Sequence, residues 1–136
     1  AAGADALVVC NTLLAMAIDV ETRRPTLGNL MGGLSGPSLK PIALRMSYQC
    51  ANAVDIPIIG CGGISTVEDV VEFLIAGATA VQVGTATFIE AGIMERLIAD
   101  LRAWMQAHGV SSVADLVGSV RDQEAGDGML LAEGVS

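Results

Sequence analysis

Aromatic side chains are nearly missing from this sequence: Tyr48, Phe73, Phe88 and Trp104 make up 3% of its 136 residues. With 52% of residues hydrophobic, the core has to be assembled from Ala, Val, Ile, Leu and Met. Continuous aliphatic runs of this kind suit parallel strands that are buried on both faces. Positive charge is also scarce. Seven Lys and Arg stand against 15 Asp and Glu, a formal net charge of −8. Nucleic acid and anionic membrane surfaces call for clustered cations, so neither is expected as a partner. By the same scarcity, an anionic ligand has to be held by backbone N–H groups and helix N-termini rather than by a basic patch.

Cysteine is limited to Cys10, Cys50 and Cys61, an odd number without C-x-x-C spacing. That speaks against a zinc or iron–sulfur centre within the chain and fits a reducing, cytoplasmic setting. A membrane helix wants about 20 predominantly apolar residues. The longest uncharged stretch, Phe73 to Ile89, is interrupted by Gly77, Gln82 and Gly84 and reads as a helix end, a strand and a loop. No signal peptide is visible. The opening Ala1-Ala2-Gly3-Ala4-Asp5 reads as a helix end and a turn, as if the sequence began inside a domain.

What is present is regular. Ala6 to Cys10 reads as a buried strand. Residues 11–37 form a long excursion with turn chemistry at Arg24-Pro25, Gly28-Asn29 and Gly32-Gly33, and so long a loop in a compact domain is usually functional. A helix is expected from about Leu39 to Val54, with Pro41 in the tolerated first turn. Ile56 to Gly60 reads as a second strand. A helix from about Val67 to Ala76 follows, capped by Ser65 or Thr66 with Glu68 or Asp69 three residues on. Gly77 stands where a helix ends. Thr79 to Val83 is a third strand, Gly84-Thr85-Ala86 a tight loop, and Ala91 to His108 a further helix.

Strand, glycine-containing loop and helix thus recur three times, which implies a parallel sheet with right-handed crossovers. The units fill a domain over residues 1–110. A C-terminal tail, 111–136, carries a short helical signal at Val113–Val117 and is otherwise weakly ordered. Three strands cannot close a barrel, which needs about 250 residues. Two α/β architectures remain: the C-terminal part of a TIM (β/α)8 barrel, about three βα units, or a small open sheet completed by strands from elsewhere.

The loops at strand C-termini are where parallel α/β proteins place ligands. Gly60-Cys61-Gly62-Gly63-Ile64 and Gly84-Thr85-Ala86 come from consecutive units, the arrangement that builds a phosphate site after strands 7 and 8 of a barrel. Glycine there admits phosphate oxygens close to the backbone, and the Thr85 hydroxyl can add a hydrogen bond. Each Gly-Gly also reads as a plain tight turn. Gly32-Gly33-Leu34-Ser35-Gly36-Pro37, ahead of the helix with Lys40 and Arg45, can wrap a phosphate or a flavin edge, or simply turn. Asn11-Thr12, directly after the first strand, can pair with a carboxylate or imide of a planar heterocycle, or cap a turn.

Taken in order, Cys10-Asn11-Thr12-Leu13-Leu14-Ala15-Met16-Ala17-Ile18-Asp19, Gly32 to Pro37, Ile58 to Ile64 and Val81-Gln82-Val83-Gly84-Thr85-Ala86 resemble class 1 dihydroorotate dehydrogenases. The resemblance runs from about Gly3 to Leu101 and lies in the ordered set rather than in any one motif. Gly84-Thr85-Ala86 is similar to class 1 rather than to the membrane-bound class 2, and the stretch through Asp19 to the NAD-linked 1B subgroup. The resemblance implies an FMN-dependent oxidation of dihydroorotate to orotate in pyrimidine biosynthesis. It implies that Asn11 and Thr12 contact the pyrimidine and that Cys10 lies beside FMN through its backbone. Gly36, Gly62, Gly63, Gly84 and Thr85 would hold the flavin's phosphate and ribityl end.

It also implies that the catalytic cysteine base and an FMN-contacting lysine lie upstream of these residues, so no catalytic residue is expected here and the 136 residues alone are expected to be inactive. The implied partners are an iron–sulfur/FAD electron-transfer subunit linking to NAD and further copies in a homodimer or heterotetramer. Cys61 is read as a packing or turn residue, and His108 as a partner of helix-terminal carbonyls. The competing readings are a dihydropyrimidine dehydrogenase-like enzyme, a sugar-phosphate epimerase or another phosphate- or FMN-binding barrel, and an inactive fragment.

Overall fold

The computed structural model describes residues 2–121. Strand β1, Leu7–Val9, opens the fold. The excursion after it contains β2 (Leu13–Ala15), β3 (Ile18–Asp19), β4 (Arg24–Pro25) and β5 (Gly32–Leu34). A single 3-10 turn over Pro37–Leu39 leads into helix α1, Lys40–Ala51. Then come β6 (Ile58–Cys61), α2 (Val67–Ile75) and β7 (Ala80–Gln82). A 3-10 turn at Thr85–Phe88, helix α3 (Ile93–Ala107) and a last 3-10 turn at Val113–Asp115 follow.

The principal sheet has the order β1-β6-β7 and is parallel throughout. Its register pairs Val8 with Ile59 and Ile59 with Ala80, and in the next row Val9 with Gly60 and Gly60 with Val81. Since successive side chains point to opposite faces, these rows serve different faces. Val9 and Gly60 are buried, whereas Val8 and Ala80 are exposed. The buried core runs through Leu39, Ala43, Val70, Phe73, Leu74 and Leu97, so the helices cover one face and leave the other bare. Helices on one face only is the layering of an arc of a barrel wall, not of a doubly wound sheet.

Small residues bring α1 and α2 close to the strands. A Cβ on Gly60 would run into the Phe73 ring, and Phe73 is wholly buried on α2. Ser47 of α1, also wholly buried, donates through Oγ to the Val9 carbonyl at 3.3 Å. The start of α2 is a capping box. The Thr66 hydroxyl accepts from the Asp69 amide, and the Asp69 carboxylate accepts from the Thr66 amide at 2.9 Å. Gly77, at φ +109°, ends that helix in a conformation L side chains avoid.

One sequence expectation is revised. The excursion 11–37 is not a structureless loop: β2 pairs antiparallel with β5, and β3 with β4, so it folds back as a ribbon. Gly32-Gly33 is therefore strand rather than turn. A Cβ on Gly33 would collide with the Thr12 side chain, and one on Gly32 would come within 2.9 Å of Leu27 Cδ1. These glycines buy close approach between facing segments, a role that alternation in sequence does not reveal. In the tail, the helical signal expected at Val113–Val117 coincides with the 3-10 turn at Val113–Asp115. Residues 111–121 are docked, with Leu116 buried in the core and the Gly118 and Val120 amides donating to Leu74 and Ile75 carbonyls. The weakly ordered remainder expected beyond them lies outside the described residues.

Candidate functional site

The C-terminal ends of β1, β6 and β7 converge on a cleft of roughly 170 Å³. All eight positions singled out from the sequence line it: Cys10, Asn11, Thr12, Gly36, Gly62, Gly63, Gly84 and Thr85. They come from four separate loops, so their meeting is a product of the fold. Ser35, Ser65 and Ile89 also line the cleft without having been named as site residues. Ser35 lay within a motif already noticed; Ile89 carries no signal beyond its distance from Gly84.

The loop after β6 is held from beneath by one buried carboxylate. Asp69, 6% exposed, accepts from the Ser65 amide at 2.8 Å, the Ser65 hydroxyl at 3.2 Å and the Thr66 amide at 2.9 Å through Oδ2. Its other oxygen takes the Lys40 ammonium at 2.7 Å. Burial alone would raise the Asp69 carboxyl, but Lys40 and the two amides outweigh it and hold the group below its ordinary value. Lys40, whose own value is raised chiefly by Asp69, also reaches Glu72 at 3.1 Å. The sequence left Lys40 as a feature beside the cleft. In the structure it fastens the start of α1 to α2.

A second clamp lies outside. The Arg96 guanidinium on α3 holds Glu90 at 2.8 Å and Asp100 at 3.0 Å, and donates to the Ser65 carbonyl at 3.3 Å. It thereby ties the segment after Gly84 to the loop after Gly62.

The glycines of the cleft do different jobs. Gly62 (φ +136°) and Gly63 (φ +76°) adopt backbone that L side chains rarely take. Their missing Cβ atoms would also strike protein: for Gly62 the Ala43 Cβ at 2.8 Å, for Gly63 the Gly36 carbonyl oxygen at 2.7 Å. These two are glycine because α1 packs against the loop. Gly84 differs, for a Cβ there would meet nothing within 4 Å, and its space is open cleft.

Chemically the cleft is a set of neutral donors over an aliphatic floor. No Lys, Arg, Asp, Glu or His is among its lining residues. The amides of Gly63, Ile64 and Thr85 meet no backbone acceptor among the described residues, which leaves them free to donate to a ligand. The Ser65, Thr66 and Asp69 amides, in contrast, are consumed by the cap of α2. Thus the helix end shapes the loop, while the glycine-loop amides remain available for an anion such as a phosphate ester.

Asn11 is part of the same lining. Its Oδ1 accepts from the Thr12 amide at 2.7 Å and from the Thr12 hydroxyl at 3.5 Å. With Oδ1 so engaged, the Asn11 NH2 group makes no hydrogen bond among the described residues and is a donor suited to a carbonyl or carboxylate oxygen. His108 sits apart, stacked on Trp104 with a ring centroid distance of 3.9 Å and its Nδ1 2.8 Å from the Trp104 carbonyl. It belongs to the end of α3. No helix among the described residues is long and apolar enough to cross a membrane.

Comparison with known proteins bears on this geometry. The family model described as dihydroorotate dehydrogenase matches residues 1–105. The catalytic subunit of dihydroorotate dehydrogenase B (NAD(+)) from Pelobacter propionicus is 52% identical over 119 residues, covering 88% of this chain and 39% of that protein. The corresponding subunit from Shouchella clausii is 55% identical over 117 residues, covering 86% and 38%. The chain therefore spans about two fifths of the length of these relatives. A crystal structure of DHODH from Eimeria tenella in complex with ferulenol superposes with a TM-score of 0.71 at 29% identity, covering 86% of this chain and 31% of that one.

Proposed function

The chain belongs to the dihydroorotate dehydrogenase family, and from that premise we propose that it contributes the phosphate-binding loops and part of the substrate site of an FMN-dependent dihydroorotate oxidation. The observation that carries the proposal is the convergence of Asn11-Thr12 with the Gly36, Gly62–Gly63 and Gly84–Thr85 loops around one cleft. The family's members are flavoproteins. When bound, the flavin accepts the hydride that leaves dihydroorotate.

The residues of this chain bind and orient. The amides of Gly63, Ile64 and Thr85 are uncommitted donors for a phosphate, and the open space at Gly84 admits one without displacing protein. With no cation in the lining, several such bonds have to act together. Gly36 and the Cys10 backbone complete the lining on which the flavin would rest. Asn11 Nδ2 donates to an oxygen of the pyrimidine and the Thr12 hydroxyl supplies a second polar contact. Proton removal from dihydroorotate is assigned to a base outside these residues. The relatives' designation as catalytic subunits of an NAD(+) enzyme favours a separate electron-transfer subunit as partner, and a cytoplasmic setting suits that assembly.

The test is Asn11→Ala in the full-length protein that carries this segment. Flavin content should be unchanged, while orotate affinity, read by titrating the flavin absorbance, should fall about tenfold to a hundredfold. That range corresponds to leaving one polar ligand edge unpaired, about 1–3 kcal/mol. An unchanged orotate titration would show that Asn11 merely orients Thr12. A preference for uracil over orotate in the unsubstituted protein would favour the dihydropyrimidine dehydrogenase-like reading instead.

A further inference from the structure

We propose that Arg96 is a positioning residue for the anion site: from outside the cleft it fixes the spacing between the loop after β6 and the loop after β7. The inference rests on the reading of this cleft as the seat of the flavin phosphate. The free amides that would hold the phosphate belong to both loops, those of Gly63 and Ile64 to the first and that of Thr85 to the second. Donor–acceptor distances of about 2.7–3.2 Å have to be met by every bond at once, so the gap between the loops matters as much as the conformation of either. The sheet sets that gap only at its base, where the last paired row joins Cys61 to Gln82. Beyond it, the bond from Arg96 to the Ser65 carbonyl is the only hydrogen bond between residues 62–66 and residues 83–107 among the described residues.

The guanidinium serves three acceptors. Its Nε and Nη2 take the two oxygens of Glu90 at 2.9 and 2.8 Å, Nη1 meets Asp100 Oδ2 at 3.0 Å, and Nη2 also donates to the Ser65 carbonyl at 3.3 Å. The Glu90 amide donates to the Ala86 carbonyl at 2.9 Å, which anchors the carboxylate to the turn that carries Thr85. On the first loop, the Ser65 amide and hydroxyl are already taken by Asp69, leaving the carbonyl for Arg96. Arg96 is absent from the cleft lining, so it acts through Ser65 and Glu90 rather than on the ligand. A planar guanidinium presents several donors in a fixed fork, whereas an ammonium is a point charge. Ile64, Ala86 and Ile93 are buried in the common core. Packing therefore holds the two loops at the core, and Arg96 holds them at the surface, where its ion pairs are exposed.

Ion pairs this exposed contribute little to stability, which separates the proposal from a general loss of folding. The experiment compares Arg96→Ala, Arg96→Lys and Arg102→Ala in the full-length protein. Arg102 lies on the same helix and makes no ion pair among the described residues, so its removal takes away the same unit of charge without touching the strap. Arg96→Ala should weaken FMN binding about tenfold, the equivalent of one lost hydrogen bond to a charged phosphate, with its urea midpoint nearly unchanged. The phosphorus NMR resonance of bound FMN should shift. Orotate should bind the FMN-saturated variant as before, since no bond of the strap reaches Asn11 or Thr12. Arg96→Lys should recover little, and Arg102→Ala should match the unsubstituted protein.

Unchanged FMN affinity and an unshifted phosphorus resonance in Arg96→Ala would overturn the proposal. So would full recovery in Arg96→Lys or an equal loss in Arg102→Ala, because net charge would then suffice. A loss of FMN affinity matched by a fall in the urea midpoint would reduce Arg96 to a folding contact and overturn it too. Gly84→Phe, which fills the cleft itself, separates this failure from failure of the underlying reading. If Gly84→Phe loses FMN and Arg96→Ala does not, the strap alone is wrong; if neither does, the phosphate is not held in this cleft.

Discussion

Asp69→Ala should destabilise the full-length protein by about 3 kcal/mol. The carboxylate is 6% exposed and serves the Ser65 amide and hydroxyl, the Thr66 amide and the Lys40 ammonium. Removing one member of a buried pair costs about 3–5 kcal/mol. The lower end applies because Lys40 is partly solvated and keeps Glu72 at 3.1 Å. Asp69→Asn retains an acceptor but not the charge and should lose less.

The effect should also depend on pH. The folded-state carboxyl is held below its ordinary value, so its contribution is complete above the unfolded value, near 3.8, and disappears as pH falls through the depressed one. Urea unfolding of the two variants and the unsubstituted protein, compared at neutral pH and in acid, measures both effects. A loss below about 1 kcal/mol at neutral pH, or one that persists unchanged in strong acid, would mean that Asp69 does not anchor the loop.

Much of this arrangement was legible before the structure. The three βα units, a helix cap at Ser65 or Thr66 and the terminating Gly77 each follow from a local rule about turns, caps or strand ends, whereas the role of Asn11-Thr12 came with the family resemblance. The ordered family resemblance supplied the common destination of loops far apart in sequence. What remained hidden was whatever depends on contact between distant segments. Gly33 is glycine because Thr12 lies over it, Gly62 because Ala43 does, and Ser47 is small and polar because the Val9 carbonyl needs a donor. Lys40 gave no sign in sequence of pairing with a carboxylate on the next helix. Nor does a run such as Gly32-Gly33 announce whether it turns or extends, since glycine permits both.

The differing roles of the glycines decide where the account is best tested. Substituting Gly62 would disturb both the backbone conformation and the contact with α1, so lost ligand binding there would say little about the cleft. Gly84 is at φ −108°, outside the left-handed region, and a Cβ would meet nothing within 4 Å. Gly84→Phe therefore fills the cleft while sparing the core.

If the Gly84–Thr85 loop receives the flavin phosphate, this side chain displaces it from about two charge-assisted hydrogen bonds, each worth about 1.5–3 kcal/mol. The decisive measurement is the FMN affinity of Gly84→Phe in the full-length protein, alongside its circular dichroism and urea midpoint. The account predicts native spectra and stability with FMN affinity reduced about a hundredfold or more. FMN bound at one equivalent with undiminished affinity, in a variant that folds normally, would contradict the assignment of this cleft to the flavin.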